Sequence, residues 1–202
     1  MRAEEAPTRP SYAKLSLMLM RAGMVGVMAA AALAGCAGQT RSAAPDHAEV
    51  VAALSGSPAP LAALHAQPNR LLDGGVSGFR SLLAGLHGYP VVVNEWASWC
   101  TDCVSEFPAF QRAAVTYGRR VAFVGVDVED RDSKAAAFLR RFPVTYPSYV
   151  DPNQRIAQMI EASGLYPQTV YISRRGKFLY DHPGPYTTTA ALERDIRRYE
   201  LQ

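Results

Sequence analysis

The chain has 202 residues, which suits one domain of ordinary size with appended segments. Hydrophobic residues make up 49% and charged residues 19%, as in a globular protein with a normal core. The formal net charge is +3, but residues 1–35 hold four basic and two acidic side chains, which leaves 17 basic and 16 acidic residues, or +1. With no basic patch or stripe, this balance argues against nucleic-acid binding.

The first 35 residues have the features of a targeting segment. A basic stretch ends at Arg21, and the run from Ala22 to Gly35 has only small or apolar residues. That run is too short to span a bilayer comfortably, but it has the length of a signal-peptide core. It ends Leu33-Ala34-Gly35-Cys36, which resembles the lipobox of bacterial lipoproteins.

The lipobox resemblance implies that the leader is cut before Cys36 and that its thiol receives a diacylglyceryl group. An ordinary secretory signal with an incidental cysteine is the alternative. Either interpretation places the protein outside the cytoplasm, where disulfides form and persist. We predict a lipoprotein signal peptide over 1–35, a lipid-anchored flexible tether over 36–60, which is rich in Ala, Ser, Pro and Gly, and a folded domain over 61–202.

Apolar spacing and turn residues predict alternating helices and strands along the rest of the chain. The predicted helices cover 79–86, 100–117, 132–142, 153–162 and about 188–199, with a further short helix over 48–54. The predicted strands cover 91–97, 121–128, 147–150, 169–173 and 177–180. Such alternation predicts an α/β fold in which helices flank a central sheet. Pro108 predicts a kink in its helix, because proline removes one N–H and crowds the previous turn.

The most informative motif is Trp99-Cys100-Thr101-Asp102-Cys103, directly after the β-branched run that begins at Val91. It places two cysteines where a buried strand ends and a helix begins. A helix N-terminus has unpaired N–H groups and partial positive charge, so it stabilises a thiolate there. Because the thiolate is the reactive form of cysteine, the motif predicts a redox-active dithiol.

A structural disulfide and half of a zinc site are the alternatives for these two cysteines. Zinc needs further ligands, and the chain has no second cysteine pair. Its four histidines are scattered without ligand spacing, at His47, His65, His87 and His182. We therefore expect no metal and no cofactor.

Four segments resemble the thioredoxin superfamily, and more narrowly the TlpA/ResA-type membrane-anchored thiol–disulfide oxidoreductases of bacteria. They are Asn94-Glu95-Trp96-Ala97-Ser98-Trp99-Cys100-x-x-Cys103, Glu106-Phe107-Pro108, the stretch from Asp151 to Gly164, and Gly164-Leu165-Tyr166-Pro167-Gln168-Thr169. The resemblance covers about residues 60–202 and implies a thioredoxin-like fold with a central mixed β-sheet. Pro167 lies 64 residues after Cys103, which fits this subfamily's extra helix–strand insertion before the cis-proline.

For such a dithiol we expect Cys100, at the exposed first turn, to be the nucleophile and Cys103, pointing inward, to resolve the mixed disulfide. Thr101 and Asp102 replace the common Gly-Pro pair. A carboxylate at Asp102 would disfavour the thiolate and favour a reductant, unless that side chain points to solvent.

Two glutamates are candidates for tuning the dithiol. Glu106 lies one helical turn after Cys103 on the same face, and the matching residue of ResA-type relatives tunes the cysteines. Asn94 stands where thioredoxin has a buried aspartate, and an amide cannot act as the base. Glu95 departs from the family, which has an aromatic or aliphatic residue there. A salt bridge to Arg or Lys is favoured for Glu95, and a second tuning role is the alternative.

Pro167 is the expected cis-proline, with an ordinary trans proline as the alternative. The resemblance implies that its loop lies against the dithiol and that the backbone of Tyr166 pairs with an extended substrate segment. Trp96 and Trp99 are expected to pack, with Trp99 bordering the exposed sulfur.

The resemblance implies an extracytoplasmic thiol–disulfide oxidoreductase, more often a reductant in cytochrome c or metal-site maturation. Its expected partners are disulfide-containing protein substrates and a membrane-embedded thiol electron donor, with a lipid anchor on the outer face of the cytoplasmic membrane. One alternative is a copper-binding metallochaperone-like module; such chaperones use Cys-x-x-x-Cys and a distant histidine, here only His182. Another is a thiol peroxidase, whose Pro-x-x-x-Thr-x-x-Cys signature is absent.

Overall fold

A computed structural model of the chain describes residues 44–162 and 164–200, so the predicted leader and Cys36 lie outside the described residues. The strands of this part are β1 Leu71–Leu72, β2 Val91–Trp96, β3 Ala122–Val128, β4 Ser148–Asp151, β5 Gln168–Ile172 and β6 Phe178–Pro183. The helices are α1 His47–Leu54, α2 Ala59–His65, α3 Gly75–Gly85, α4 Thr101–Tyr117, α5 Asp132–Arg141, α6 Arg155–Met159 and α7 Thr189–Glu200.

The strands form one mixed sheet in the order β1-β4-β3-β2-β5-β6. The first four of these are parallel, β5 runs antiparallel to β2, and β6 runs antiparallel to β5. Every residue of β2 is buried, as expected for a β-branched run in the middle of a sheet covered on both faces.

Helices cover both faces of this sheet, as predicted. On one face, Trp96 of β2 contacts Phe107 of α4 and Phe138 of α5, with ring centroids 5.5 and 4.8 Å apart. On the other face, Phe79 of α3 packs edge-on against Tyr149 of β4 at 5.3 Å. The unit α5–β4 is the extra helix–strand insertion, because it lies between β3 and Pro167 and adds β4 beside β3.

The tether prediction over 36–60 is wrong for its described end. Residues 47–54 form α1, which contacts α4 and carries an ion pair between Glu49 and Arg112. Helix α2 begins at Ala59, and Leu61 and Leu64 within it are fully buried. Leucine burial and the ion pair therefore attach this segment to the domain, although its Ala- and Pro-rich composition is typical of a linker.

Other boundaries differ by a few residues. Helix α3 begins at Gly75 rather than 79, and α6 is shorter than the predicted 153–162. Helix α4 continues through Pro108 to Tyr117. None of the helices in the described part has the length and apolarity needed to cross a membrane.

Candidate active site

The two cysteines of the motif form a disulfide at the start of α4. Cys100 is the N-cap residue, and its Sγ accepts a hydrogen bond from the Cys103 N–H at 3.1 Å. Between β2 and the helix the chain makes a turn, closed by the Cys100 N–H donating to the Ala97 carbonyl at 3.2 Å. In the reduced state this geometry gives the Cys100 thiolate a backbone donor and the positive end of a helix dipole.

Cys100 is more covered than an exposed first turn would be. Its exposed fraction is 6%, and that of Cys103 is 0%. The neighbouring Trp99 is 54% exposed, and Thr101 and Asp102 are exposed as well. Of the two cysteines, only Cys100 therefore has any surface that another protein can reach.

The loop before β5 lies beside the motif. The Tyr166–Pro167 peptide bond is cis, as expected. The Tyr166 ring meets the Trp99 ring edge-on, with centroids 6.0 Å apart, so the two loops touch. Leu165, also largely exposed, extends this apolar surface. We call Trp99, Leu165 and Tyr166 the apolar rim.

Glu106 is fully buried on α4, one turn after Cys103. One carboxylate oxygen accepts from Asn94 Nδ2 at 2.6 Å, and the other accepts from the Tyr186 N–H at 3.4 Å. Burial raises the pKa of Glu106 to about 8, and these two hydrogen bonds only partly oppose that effect. A group with this pKa exchanges a proton near neutral pH. The sequence placed Glu106 and Asn94 here, but it gave no signal for Tyr186.

Glu95 points to the opposite face of the sheet, and its partner is an amide rather than the favoured Arg or Lys. Gln168 Nε2 donates to Glu95 Oε2, because the register of β2 and β5 sets the two residues opposite each other. Within the described structure the second oxygen, Oε1, is buried without a hydrogen-bond partner. Burial, helped by the nearby acids Asp181 and Asp151 and opposed by the Gln168 hydrogen bond, raises the pKa of Glu95 to about 8.

The model of the AhpC/TSA family matches residues 59–181, which is more than half of the chain and includes both cysteines, both glutamates and Pro167. The chain belongs to the AhpC/TSA family.

Curated relatives and solved structures agree on the fold. Thioredoxin-like protein YneN of Bacillus subtilis is 30% identical over 115 residues, 55% of this chain and 66% of that protein. Thiol-disulfide oxidoreductase ResA of the same organism is 29% identical over 111 residues, 54% of this chain and 61% of ResA. The structure of a DsbE-type thiol:disulfide interchange protein from Chlorobium tepidum is 27% identical, with a TM-score of 0.53, and covers 58% of this chain and 84% of that one.

These matches confirm the thioredoxin-like fold and the resemblance to ResA-type proteins. The chain spans about two thirds or less of the length of the curated relatives it matches.

Besides the loops before α4 and β5, the turn between β3 and α5 also forms part of the site, and sequence reasoning missed it. The Asp130 carboxylate accepts from the Ser98 N–H at 2.5 Å and from the Ser98 hydroxyl at 2.9 Å. Behind it, Asp127 is buried at the end of β3, and burial, followed by the charge and hydrogen bond of Asp130, raises its pKa to about 8. The available signal was positional: parallel strands β2 and β3 end at the same sheet edge, so residues following them meet there.

Across the residues that the structure describes, no group of three or more His, Cys, Asp and Glu side chains is placed to hold a metal ion. His182, the downstream histidine of the copper alternative, stacks on Tyr186 with ring centroids 4.0 Å apart. Its Nδ1 lies 3.7 Å from a carboxylate oxygen of Asp195. His182 therefore packs against Tyr186 and lies near Asp195, between β6 and α7.

The raised pKa of Glu106 predicts a pH-dependent stability. Between its ordinary value near 4.5 and about 8 the folded protein keeps a proton that the unfolded chain has released, so this site's contribution to stability falls as pH rises through that window. Glu106→Gln removes the ionisation. We expect the free energy of unfolding of the variant, relative to the parent, to rise by ~1–3 kcal/mol from pH 5 to pH 8.

Urea denaturation of the parent and the variant, each with its disulfide formed, at several pH values measures this difference. Ser105→Ala, an exposed uncharged position on the same helix, is the control and gives a difference independent of pH. A Glu106→Gln difference that is equally flat would contradict the prediction.

Proposed function

We propose that the protein is an extracytoplasmic thiol–disulfide oxidoreductase that exchanges its Cys100/Cys103 dithiol with disulfides of protein substrates, acting as a reductant. The observation that carries the proposal is a disulfide between two unequally buried cysteines at one helix N-terminus, beside a cis-proline loop. The relatives named thiol-disulfide oxidoreductase and thiol:disulfide interchange protein support it.

In the proposed reaction the Cys100 thiolate attacks one sulfur of a substrate disulfide. A Cys100–substrate disulfide forms, and the other substrate sulfur leaves as a thiolate. The Cys103 thiolate then attacks Cys100 Sγ, which restores the internal disulfide and releases the second substrate sulfur. The substrate gains two electrons and two protons, and the dithiol loses them.

Glu106 is the proposed base for Cys103. Cys103 is fully buried, so its thiol needs an internal proton acceptor before it can attack. Glu106 shares its helix face, and its pKa of about 8 lies much closer to that of a buried thiol than the ordinary carboxyl value of 4.5 does. Proton transfer between groups of similar pKa costs little, which is the condition for efficient general base catalysis.

The apolar rim is the proposed substrate contact. A substrate segment would lie in extended form along the Tyr166 backbone before Pro167, as a strand adds to a sheet edge. Trp99 would supply exposed aromatic area next to the reacting sulfur. Such a surface recognises the backbone and apolar side chains, and therefore suits more than one protein substrate.

Three residues are proposed to decide whether the dithiol reduces or oxidises its substrate. Asp102 is exposed in the first turn of α4, where a carboxylate disfavours the neighbouring thiolate, although solvent screens the effect. Thr101 is exposed beside it. Glu95 contributes from the opposite sheet face through Gln168, the residue after Pro167. A less stable thiolate makes the dithiol a stronger reductant, which fits proposed roles in cytochrome c or metal-site maturation with a membrane-embedded thiol donor.

Cysteine variants test the chemistry. Cys100→Ser should abolish reduction of a model protein disulfide such as that of insulin, because the attacking sulfur is lost. Cys103→Ala should keep the first step and accumulate a mixed disulfide with the substrate, visible on a non-reducing gel. Failure of the parent protein to exchange thiols would overturn the proposed function.

The reduction potential tests the direction. Equilibration of the Cys100/Cys103 pair with a glutathione or dithiothreitol buffer should give a value near the ~ −270 mV of thioredoxin. Asp102→Asn should shift that value towards a more oxidising potential, since removal of the carboxylate stabilises the thiolate. A parent value near ~ −120 mV would make the protein an oxidant.

The proposed lipid anchor is tested in cells that process lipoproteins. The full chain should incorporate a labelled fatty acid and sediment with membranes. Cys36→Ser should lose both properties, because Cys36 provides the acceptor thiol, whereas Cys100→Ser should retain them. Labelling that persists in the Cys36→Ser chain would show that the anchor assignment is wrong.

A further inference from the structure

The turn after β3 holds the two residues that precede the nucleophile. Asp130 accepts both the backbone N–H and the hydroxyl of Ser98, so its carboxylate forms a two-pronged contact. The next residue, Trp99, donates its indole Nε1–H to the Glu129 carbonyl at 3.2 Å. Two consecutive residues of one turn thus bind two consecutive residues of the loop that leads into Cys100.

This turn is itself fixed to the sheet. The Asp130 carboxylate also accepts from the Arg131 N–H at 2.7 Å. Glu129 has a left-handed backbone with φ of +49°, and its N–H reaches the carbonyl of Asp151 at the end of β4 at 3.4 Å. The loop before Cys100 is therefore held from the sheet edge, in addition to its own Cys100–Ala97 hydrogen bond.

Asp127 supports Asp130 from behind. It is buried at the end of β3, its in-register neighbours Trp96 and Val150 are uncharged, and the acids that face it are Asp130 and Asp132. Burial and these acids raise its pKa to about 8, so near neutral pH Asp127 keeps its proton and hydrogen-bonds to Asp130. A neutral Asp127 places no second negative charge beside the carboxylate of Asp130, whose charge-assisted hydrogen bonds to Ser98 are strong.

We propose that Asp130 is a positioning residue for Cys100, fixing Ser98 so that the nucleophilic sulfur stays at the N-terminus of α4. The effect of this positioning on disulfide exchange rests on the proposed function. The Cys100 thiolate is stabilised only while its Sγ lies close to the Cys103 N–H, which is 3.1 Å away in this structure. If the loop loosens, that donor and the helix dipole act less on the sulfur, and attack on a disulfide slows.

The charge of Asp130 has the opposite effect, because a carboxylate near Cys100 disfavours the thiolate. Substitutions separate the two. Asp130→Ala removes charge and contacts, Asp130→Asn removes the charge and one of the acceptors, and Ser98→Ala removes one contact without changing charge. Asp73→Asn, at an exposed acid outside this turn, is the control for the loss of one negative charge.

The measurement is the rate at which iodoacetamide alkylates Cys100 in the reduced protein across a pH series, with the melting temperature recorded for each variant. We expect Asp130→Ala and Asp130→Asn to raise the apparent pKa of Cys100 and to slow alkylation at pH 7 by about tenfold. Ser98→Ala should give a smaller change in the same direction, and it keeps the test available if Asp130→Ala does not fold. Asp73→Asn should match the parent.

Faster alkylation in Asp130→Asn would show that Asp130 acts by charge, which overturns the proposal. Unchanged alkylation in all three variants, with only a lower melting temperature, overturns it as well. Alkylation does not require a protein substrate, so its outcome is separate from that of the insulin assay, which decides the proposed function.

Discussion

The hydrogen bond from the Cys103 N–H to Cys100 Sγ is the contact on which the site depends. It exists because β2, buried on both faces, ends at Trp96 and leaves only a short turn before α4 begins. The turn delivers Cys100 to the N-cap position, where the free N–H groups of the helix point. Cys100 keeps a small exposed fraction and Cys103 has none, which is the basis of the proposed order of reaction.

Two buried glutamates belong to β2 and α4, and their hydrogen bonds come from side-chain amides and a backbone N–H group. Glu106 binds Asn94 and the Tyr186 N–H, and Glu95 binds Gln168. Burying a carboxyl costs free energy unless it keeps its proton, and both have their pKa raised to about 8. Groups perturbed in this way concentrate at functional sites. Here they lie on opposite faces of β2, with Glu106 on the face that α4 covers and Glu95 on the other.

Three separate stretches of chain build the site. The loop before α4 provides Cys100 and Trp99, the turn after β3 provides Asp130, and the loop before β5 provides Tyr166 and Pro167. They meet because β2 lies between β3 and β5 in the sheet. Within the site, rigidity comes from the strand ends, and the exposed apolar rim remains available to a partner.

The sequence by itself determined the local features: the buried strand before the motif, the helix after it, the cysteine pair at their junction and Glu106 one turn along. These follow from the spacing of apolar residues, with periods of 3.6 in helices and 2 in strands, which depends only on residues near one another in the chain. The resemblance added the insertion and the cis bond at Pro167. Only the tertiary structure decided which groups meet across long separations. The Gln168–Glu95 pair spans 73 residues and the Asp130–Ser98 pair 32. Both depend on strand order and register, and local periodicity does not encode either.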